Sequence, residues 1–161
     1  MAIKVGDKIP SMKLNKLGPN GMTQVATDDI FKGKTVIMFG LPGAFTPTCS
    51  ARHVPGYLDK MSDLKAKGVD SVVCLSVNDP FVMKAWGENQ KVGENIGMLP
   101  DGNAQLTKAM GLDYDGSVFG LGTRSKRFAL VAKDGVVKHL AVEASPGELD
   151  VSSAESVLKK L

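Results

Sequence analysis

Two cysteines carry the most reactive chemistry in this chain, and their settings differ. Cys49 closes the segment Pro42-Gly43-Ala44-Phe45-Thr46-Pro47-Thr48-Cys49, which links a short apolar run to a stretch with helical spacing. A thiol at a helix start meets unpaired backbone N–H groups and the positive end of the helix dipole, both of which favour a thiolate. Pro42 and Pro47 stiffen the approach, Gly43 admits close backbone contact, and Thr46 offers a hydroxyl three residues before the sulfur. The set suits nucleophilic or redox chemistry; the bland alternative is a small buried filler, a common fate of free cysteine. His53, four residues on, shares the helix face, where it either polarises the thiol or hydrogen-bonds within the helix. Cys74 sits inside the apolar run D-S-V-V-C-L-S-V and reads as a core residue. Arg124, in the loop G-L-G-T-R-S-K, lies near an expected strand end, and Arg127 opens an apolar strand beside Phe128 and Leu130. His139 reads as structural.

These groups need a frame. Residues 34–40, K-T-V-I-M-F-G, form a β-branched run bounded by Gly33 and the Leu41-Pro42-Gly43 turn, so a buried strand is expected. Val54, Tyr57, Leu58, Met61 and Leu64 recur at helical spacing across residues 50–67, with Gly68 as the stop. A second buried strand is expected over 70–77, then a helix capped by Asp79 with Pro80 in its first turn. A short strand over 96–99 and a short helix over 103–110 follow. Residues 127–132 and 136–142 flank Lys133-Asp134-Gly135, a strong hairpin signal. Ser152 with Glu155 suggests a capping box for a last helix ending at Leu161. Alternating strands and helices with a late hairpin imply an α/β chain of the thioredoxin-like kind, with a mixed central sheet and helices on both faces. One domain over 1–161 is the expected organisation.

Composition removes several classes of function. Twenty Lys+Arg against seventeen Asp+Glu give a net charge of +3, and the cations are scattered, so no nucleic-acid footprint is expected. No apolar stretch approaches the roughly 20 residues of a membrane span, and the start M-A-I-K-V-G-D lacks a secretory apolar run; no membrane association and a cytoplasmic location are expected. Gly33-Lys34-Thr35 ends like a phosphate loop, but Asp28 stands where that loop needs glycine. Cys49, His53, Cys74 and His139 lack zinc spacing, so no metal is expected, and without C-x-x-C a dithiol oxidoreductase is excluded as the main activity.

The pattern P-x-x-x-T-x-x-C, here P-G-A-F-T-P-T-C-S from Pro42, resembles the active-site motif of peroxiredoxins, especially the peroxiredoxin 5 or type II subfamily. Similar segments recur in order: K-V-G-D-K-I-P near the start, F-K-G-K before the first strand, C-L-S-V-N-D-P-F-V from Cys74, and K-R-F-A-L-V from Lys126. The resemblance implies a thioredoxin-like fold and reduction of hydrogen peroxide or organic hydroperoxides, without cofactor, by a cysteine that becomes sulfenic acid. It implies recycling by glutathione, glutaredoxin or thioredoxin, a part in antioxidant defence and cell redox homeostasis, and a homodimer formed near the active-site face. Residue by residue, it makes Cys49 the peroxidatic cysteine, Thr46 the hydroxyl that contacts peroxide, Pro42 the shield of the thiolate and Arg127 the completing arginine. Spacing alone leaves Arg124 as a rival for that last role.

The chemistry fits those groups. A thiolate attacks one peroxide oxygen while the other leaves, so negative charge moves in line from sulfur across two oxygens. A thiol with an ordinary pKa near 8.5 gains only about 30-fold, about 2 kcal/mol, by full ionisation at pH 7. A larger acceleration requires fixed donors: the Arg127 guanidinium, the Cys49 N–H and the Thr46 hydroxyl. Two other functions use the same thiol, a non-enzymatic redox sensor and a cysteine hydrolase with His53 or His139; for the hydrolase no base, orienter and oxyanion hole can be identified. Cys74 lies about 10 Å down its strand from the end where Cys49 is expected, beyond the roughly 7 Å that a disulfide tolerates, so an external thiol is expected to reduce Cys49. Relatives in which the two positions bond to each other are the alternative.

Overall fold

The structure is a computed structural model and describes residues 2–161. It begins with a hairpin, β1 (Lys13–Gly18) and β2 (Gly21–Ala26), followed by helix α1 (Thr27–Phe31) and strand β3 (Thr35–Leu41). A π-helical turn, Cys49–His53, leads into α2 (Val54–Asp59) and α3 (Met61–Ala66). Then come β4 (Ser71–Ser76), α4 (Pro80–Asn89), β5 (Gly97–Pro100) and α5 (Gln105–Ala109). A small hairpin, β6 (Asp113–Asp115) and β7 (Thr123–Ser125), precedes β8 (Phe128–Lys133), β9 (Val136–Val142) and α6 (Ala154–Leu158). Among the described residues, no helix is long and apolar enough to cross a membrane.

The central sheet runs β5-β4-β3-β8-β9, parallel across β5, β4 and β3 and antiparallel from β3 to β9. This is the expected mixed sheet of a thioredoxin-like α/β fold. Strand side chains alternate between faces. Ile37, Phe39, Val72, Cys74, Ala129 and Val131 join one core with Tyr57, Leu64 and Trp86 of the helices. Val36, Met38, Val73, Leu75, Leu130 and Ala132 join the other with Phe31, Leu106 and Met110. By the same alternation Arg127, one residue ahead of β8, turns to the face of Ala129 and Val131, which is the face that holds Cys49.

The local signals resolve unevenly. Asp134 and Gly135 both take positive φ, 49° and 77°, as a tight hairpin turn between β8 and β9 requires. Asp79 caps α4 by accepting from the Val82 N–H at 2.8 Å. The helix expected over 50–67 is divided. Pro55 has no N–H to give, the Val54 N–H reaches back to the Cys49 carbonyl, and the backbone departs from helix again at Lys60. The last helix is capped by Ser153 rather than Ser152: the Ser153 hydroxyl accepts from the Ser156 N–H at 3.1 Å, while Ser152 is buried in another network. The β1–β2 and β6–β7 hairpins and α1 have no clear sequence signal. Of β1 and β2 only Leu14 is fully buried, so little alternation marks them.

Candidate active site

The Cys49 sulfur lies at the carboxyl end of β3, the place where open α/β sheets gather reactive groups. Cys49 is fully buried. Arg127, itself only 2% exposed, donates from Nη2 to Sγ at 3.1 Å, from Nη1 to His53 Nδ1 at 2.9 Å and from Nε to the Pro146 carbonyl at 3.0 Å. No carboxylate pairs with it among the described residues. A buried guanidinium is costly unless its N–H groups are satisfied, and here each nitrogen has an acceptor, the sulfur being one.

His53 is held in one tautomer. Its Nε2 faces the Ser152 carbonyl at 3.1 Å, which can only accept, so Nε2 carries the proton and Nδ1 receives the Arg127 N–H. Burial, and then the neighbouring Arg127 charge, push its pKa down to about 3. His53 is therefore neutral and makes its hydrogen bonds to Arg127 and Ser152, outside its own helix, rather than to the thiol or within the helix. Cys49 and His53 begin and end the same π turn, and both bind Arg127.

Thr46 donates its hydroxyl to the Gly43 carbonyl at 2.7 Å, so its oxygen offers lone pairs. That differs from the donor role expected from sequence: with its proton committed, Thr46 can accept from a peroxide O–H. Pro42 is buried, and its carbonyl accepts from Arg124 Nη1 at 3.3 Å. Gly43 is needed for that approach, since a Cβ there would stand 2.6 Å from the same Nη1. Phe45 occupies the left-handed region at φ 64°, which costs a bulky residue about 1–3 kcal/mol. The preceding Ala44 N–H is fixed by Asn78 Oδ1 at 2.9 Å.

Several residues that hold the site carry no motif signal. The Ser152 carbonyl also accepts from Tyr57 Oη at 2.8 Å, and Tyr57 stacks on Phe39 at 4.2 Å. Glu143 Oε2 accepts from the Ser152 N–H (2.8 Å), the Ser152 hydroxyl (2.6 Å) and the Asp150 N–H (2.8 Å). Trp86 donates from Nε1 to the Ser50 hydroxyl at 3.0 Å. The Tyr57–Ser152 and Trp86–Ser50 partners are distant in sequence, and the Glu143 loop contacts, seven to nine residues apart, follow no helical or strand period; the N-D-P run after β4 is the one local hint, for Asn78.

Cys74 lies mid-strand, opposite Phe39 and on the Cys49 face. Both cysteines are free thiols. Burial, and then the charge of Cys49, push the Cys74 pKa well up. His139, half-buried on β9, lies away from this cluster. A cavity of about 630 Å³ between α4 and β5 is lined by Met83, Gly87, Val92 and Met98 among others and holds none of the residues above.

A buried cysteine facing an uncompensated arginine at the end of a thioredoxin-like sheet defines a thiol-dependent redox protein, and residues 4–158 match the Redoxin family. The chain belongs to that family and, within it, is a peroxiredoxin, a thiol peroxidase that reduces peroxide at the expense of thiols. It is 48% identical to Peroxiredoxin-2B of Arabidopsis thaliana over 160 residues, covering 99% of this chain and 98% of that one. Chloroplastic Peroxiredoxin-2E of the same plant is 44% identical, over 99% of this chain and 70% of its own. The solved structure of reduced Prx3 from Vibrio vulnificus in complex with H2O2 superposes with TM-score 0.92 and 49% identity, covering 98% of both chains.

Proposed function

We propose that Cys49 is the peroxidatic residue and that Arg127 is its principal donor; the single observation carrying this is the 3.1 Å contact of Arg127 Nη2 with Sγ. The thiolate attacks one oxygen of hydrogen peroxide or an alkyl hydroperoxide, forming the S–O bond as the O–O bond breaks. Water or alcohol leaves after taking a proton, and Cys49 becomes sulfenic acid. Arg127 and the Cys49 N–H, in the first helical turn where N–H groups lack intrahelical acceptors, stabilise the moving charge. The Thr46 oxygen accepts the peroxide O–H, Pro42 keeps water from the sulfur, and His53 orients Arg127.

Reduction then comes from an external thiol: glutathione, or a glutaredoxin or thioredoxin. The raised pKa of Cys74 and its mid-strand burial support a one-cysteine cycle, since a neutral buried thiol is a poor attacking group. A single domain over 1–161, a cytoplasmic location and a homodimer complete the reading. The dimer is supported by Phe45, Phe81, Val118 and Phe119, which are 54%, 61%, 90% and 76% exposed on loops and the α4 start around the site. One equivalent of peroxide, followed by intact mass and thiol count, tests the cycle. Sulfenic acid at Cys49 that persists until glutathione is added is the expected result; rapid loss of both thiols within one chain would replace it with a two-cysteine cycle. Sedimentation at micromolar concentration tests the dimer.

A further inference from the structure

The second arginine at this site is bound differently from the first. Arg127 has every guanidinium nitrogen engaged, whereas Arg124 donates from Nε to the Leu121 carbonyl at 2.9 Å and from Nη1 to Pro42, and its Nη2 has no protein partner among the described residues. Arg124 is only half-buried, so this nitrogen is open to a ligand. None of the ion pairs among the described residues includes an arginine.

The β6–β7 hairpin keeps acid away from it. Tyr114 pairs directly with Arg124, so the two share a face, while Asp113 and Asp115, one residue to either side, point to the opposite face. Asp115 is further engaged by the Ser117 N–H and hydroxyl. The Tyr114–Arg124 face is turned to the Pro42–Cys49 segment: the Arg124 guanidinium donates to the Pro42 carbonyl and lies against Gly43. A planar cation without a carboxylate partner, with a tyrosine paired to it on the same face, is a receptor for a carboxylate, which accepts a forked pair of hydrogen bonds.

We propose that Arg124, assisted by Tyr114, recognises a carboxylate on the small thiol that reduces the Cys49 sulfenic acid, so that the reductant class is an anionic low-molecular-weight thiol. The proposal rests on the peroxidase reading above and names the second substrate of the same site. In a tripeptide thiol such as glutathione each carboxylate lies on the order of 7 Å from the sulfur, about two residue lengths, and Arg124 is bound to the same Pro42–Cys49 segment that carries the reacting sulfur. The reductant thiolate attacks the Cys49 sulfur, the S–O bond breaks, and hydroxide leaves as water after taking a proton. A second thiol then resolves the mixed disulfide, releasing the oxidised dimer of the reductant and restoring the Cys49 thiol.

The test starts from sulfenic acid preformed with one equivalent of peroxide and verified by the mass gain of one oxygen. Its second-order rate is measured with glutathione, glutathione diethyl ester and dithiothreitol, in wild type, Arg124→Gln and Arg124→Lys. Wild type is expected to prefer glutathione to the diester by about ten-fold, the scale of one charged hydrogen-bonded contact. Arg124→Gln should lose that preference while its diester-to-dithiothreitol ratio stays at the wild-type value, and Arg124→Lys, a cation without the fork, should fall between. Equal rates of glutathione and diester in wild type overturn the proposal without any variant. A loss in Arg124→Gln shared by all three thiols also overturns it, reducing Arg124 to a brace for the Pro42 loop. Failure of wild type to gain oxygen would remove the peroxidase reading, and this inference with it.

Discussion

The Arg127 guanidinium meets the Cys49 sulfur at 3.1 Å from a position one residue ahead of β8, with no carboxylate to share its charge. The strand alternation that buries Ala129 and Val131 points this cation at the thiol, so the fold fixes a charged N–H donor against the sulfur without a flexible loop. A donor fixed in advance does not have to reorganise as charge leaves the sulfur.

Cys49→Ser is expected to abolish peroxide consumption, because oxygen is a poor nucleophile towards peroxide and serine is not ionised near neutral pH. Cys74→Ser, assayed with excess external thiol, should keep turnover within a few-fold. Residual turnover of even a tenth in Cys49→Ser would remove it from the peroxidatic role.

Arg127→Ala should slow peroxide attack by roughly 10²–10³, about 2.7–4 kcal/mol, the scale of losing one fixed donor to a developing charge. Arg127→Lys should recover little, since one ammonium cannot serve sulfur, His53 Nδ1 and the Pro146 carbonyl together. Measuring the thiolate fraction and the second-order rate in the same variants separates donation from ionisation. A loss matched by the thiolate fraction would reduce Arg127 to an ionising charge.

Stability should fall with pH because of His53. Its folded pKa, about 3, lies below the ordinary 6.5, so the unfolded chain takes up a proton first. The stabilising contribution is complete above about pH 6.5 and is lost as pH falls towards 3, on the order of 5 kcal/mol in all. Denaturation midpoints of wild type and His53→Gln, measured from pH 7 to pH 4, should converge. Parallel curves would mean that His53 titrates normally in the folded protein.

Glu143→Ala should weaken the site from a distance. It removes the acceptor of the Ser152 N–H, the Ser152 hydroxyl and the Asp150 N–H, frees the carbonyl that fixes the His53 tautomer, and should cost about 1–3 kcal/mol of stability. Peroxide attack should slow with it, and Glu143→Gln, which keeps an acceptor oxygen, should restore most of both. Nitrogen-15 shifts of the His53 ring report the tautomer; an unchanged tautomer in a slowed Glu143→Ala would break the proposed link.

Asn78→Ala releases the Ala44 N–H beside the strained Phe45. The Pro42–Cys49 segment should then exchange its amide hydrogens faster while β3 and β4 remain protected, and peroxide attack should slow several-fold. Uniform loss of protection would instead make Asn78 a general stability residue.

Much of this protein is set by local sequence. The β-branched run of β3, the Asp79-Pro80 cap, the Asp134-Gly135 turn and the Pro42–Cys49 segment each act through neighbours a few residues apart, where propensity and spacing carry the information. The sequence by itself therefore determines the alternating α/β order and puts a cysteine at the first strand's end. Tertiary structure decides what surrounds that cysteine. The choice between Arg127 and Arg124 for the sulfur, the tautomer of His53 and the bracing by Ser152 and Asn78 depend on hydrogen bonds between residues brought together by the fold. Such bonds span up to 99 positions of chain, and no periodicity records them. Their geometry is fixed by sheet register and by the packing of α2 and the 143–153 segment over β3 and β8, which is why they become legible only once the chain is folded.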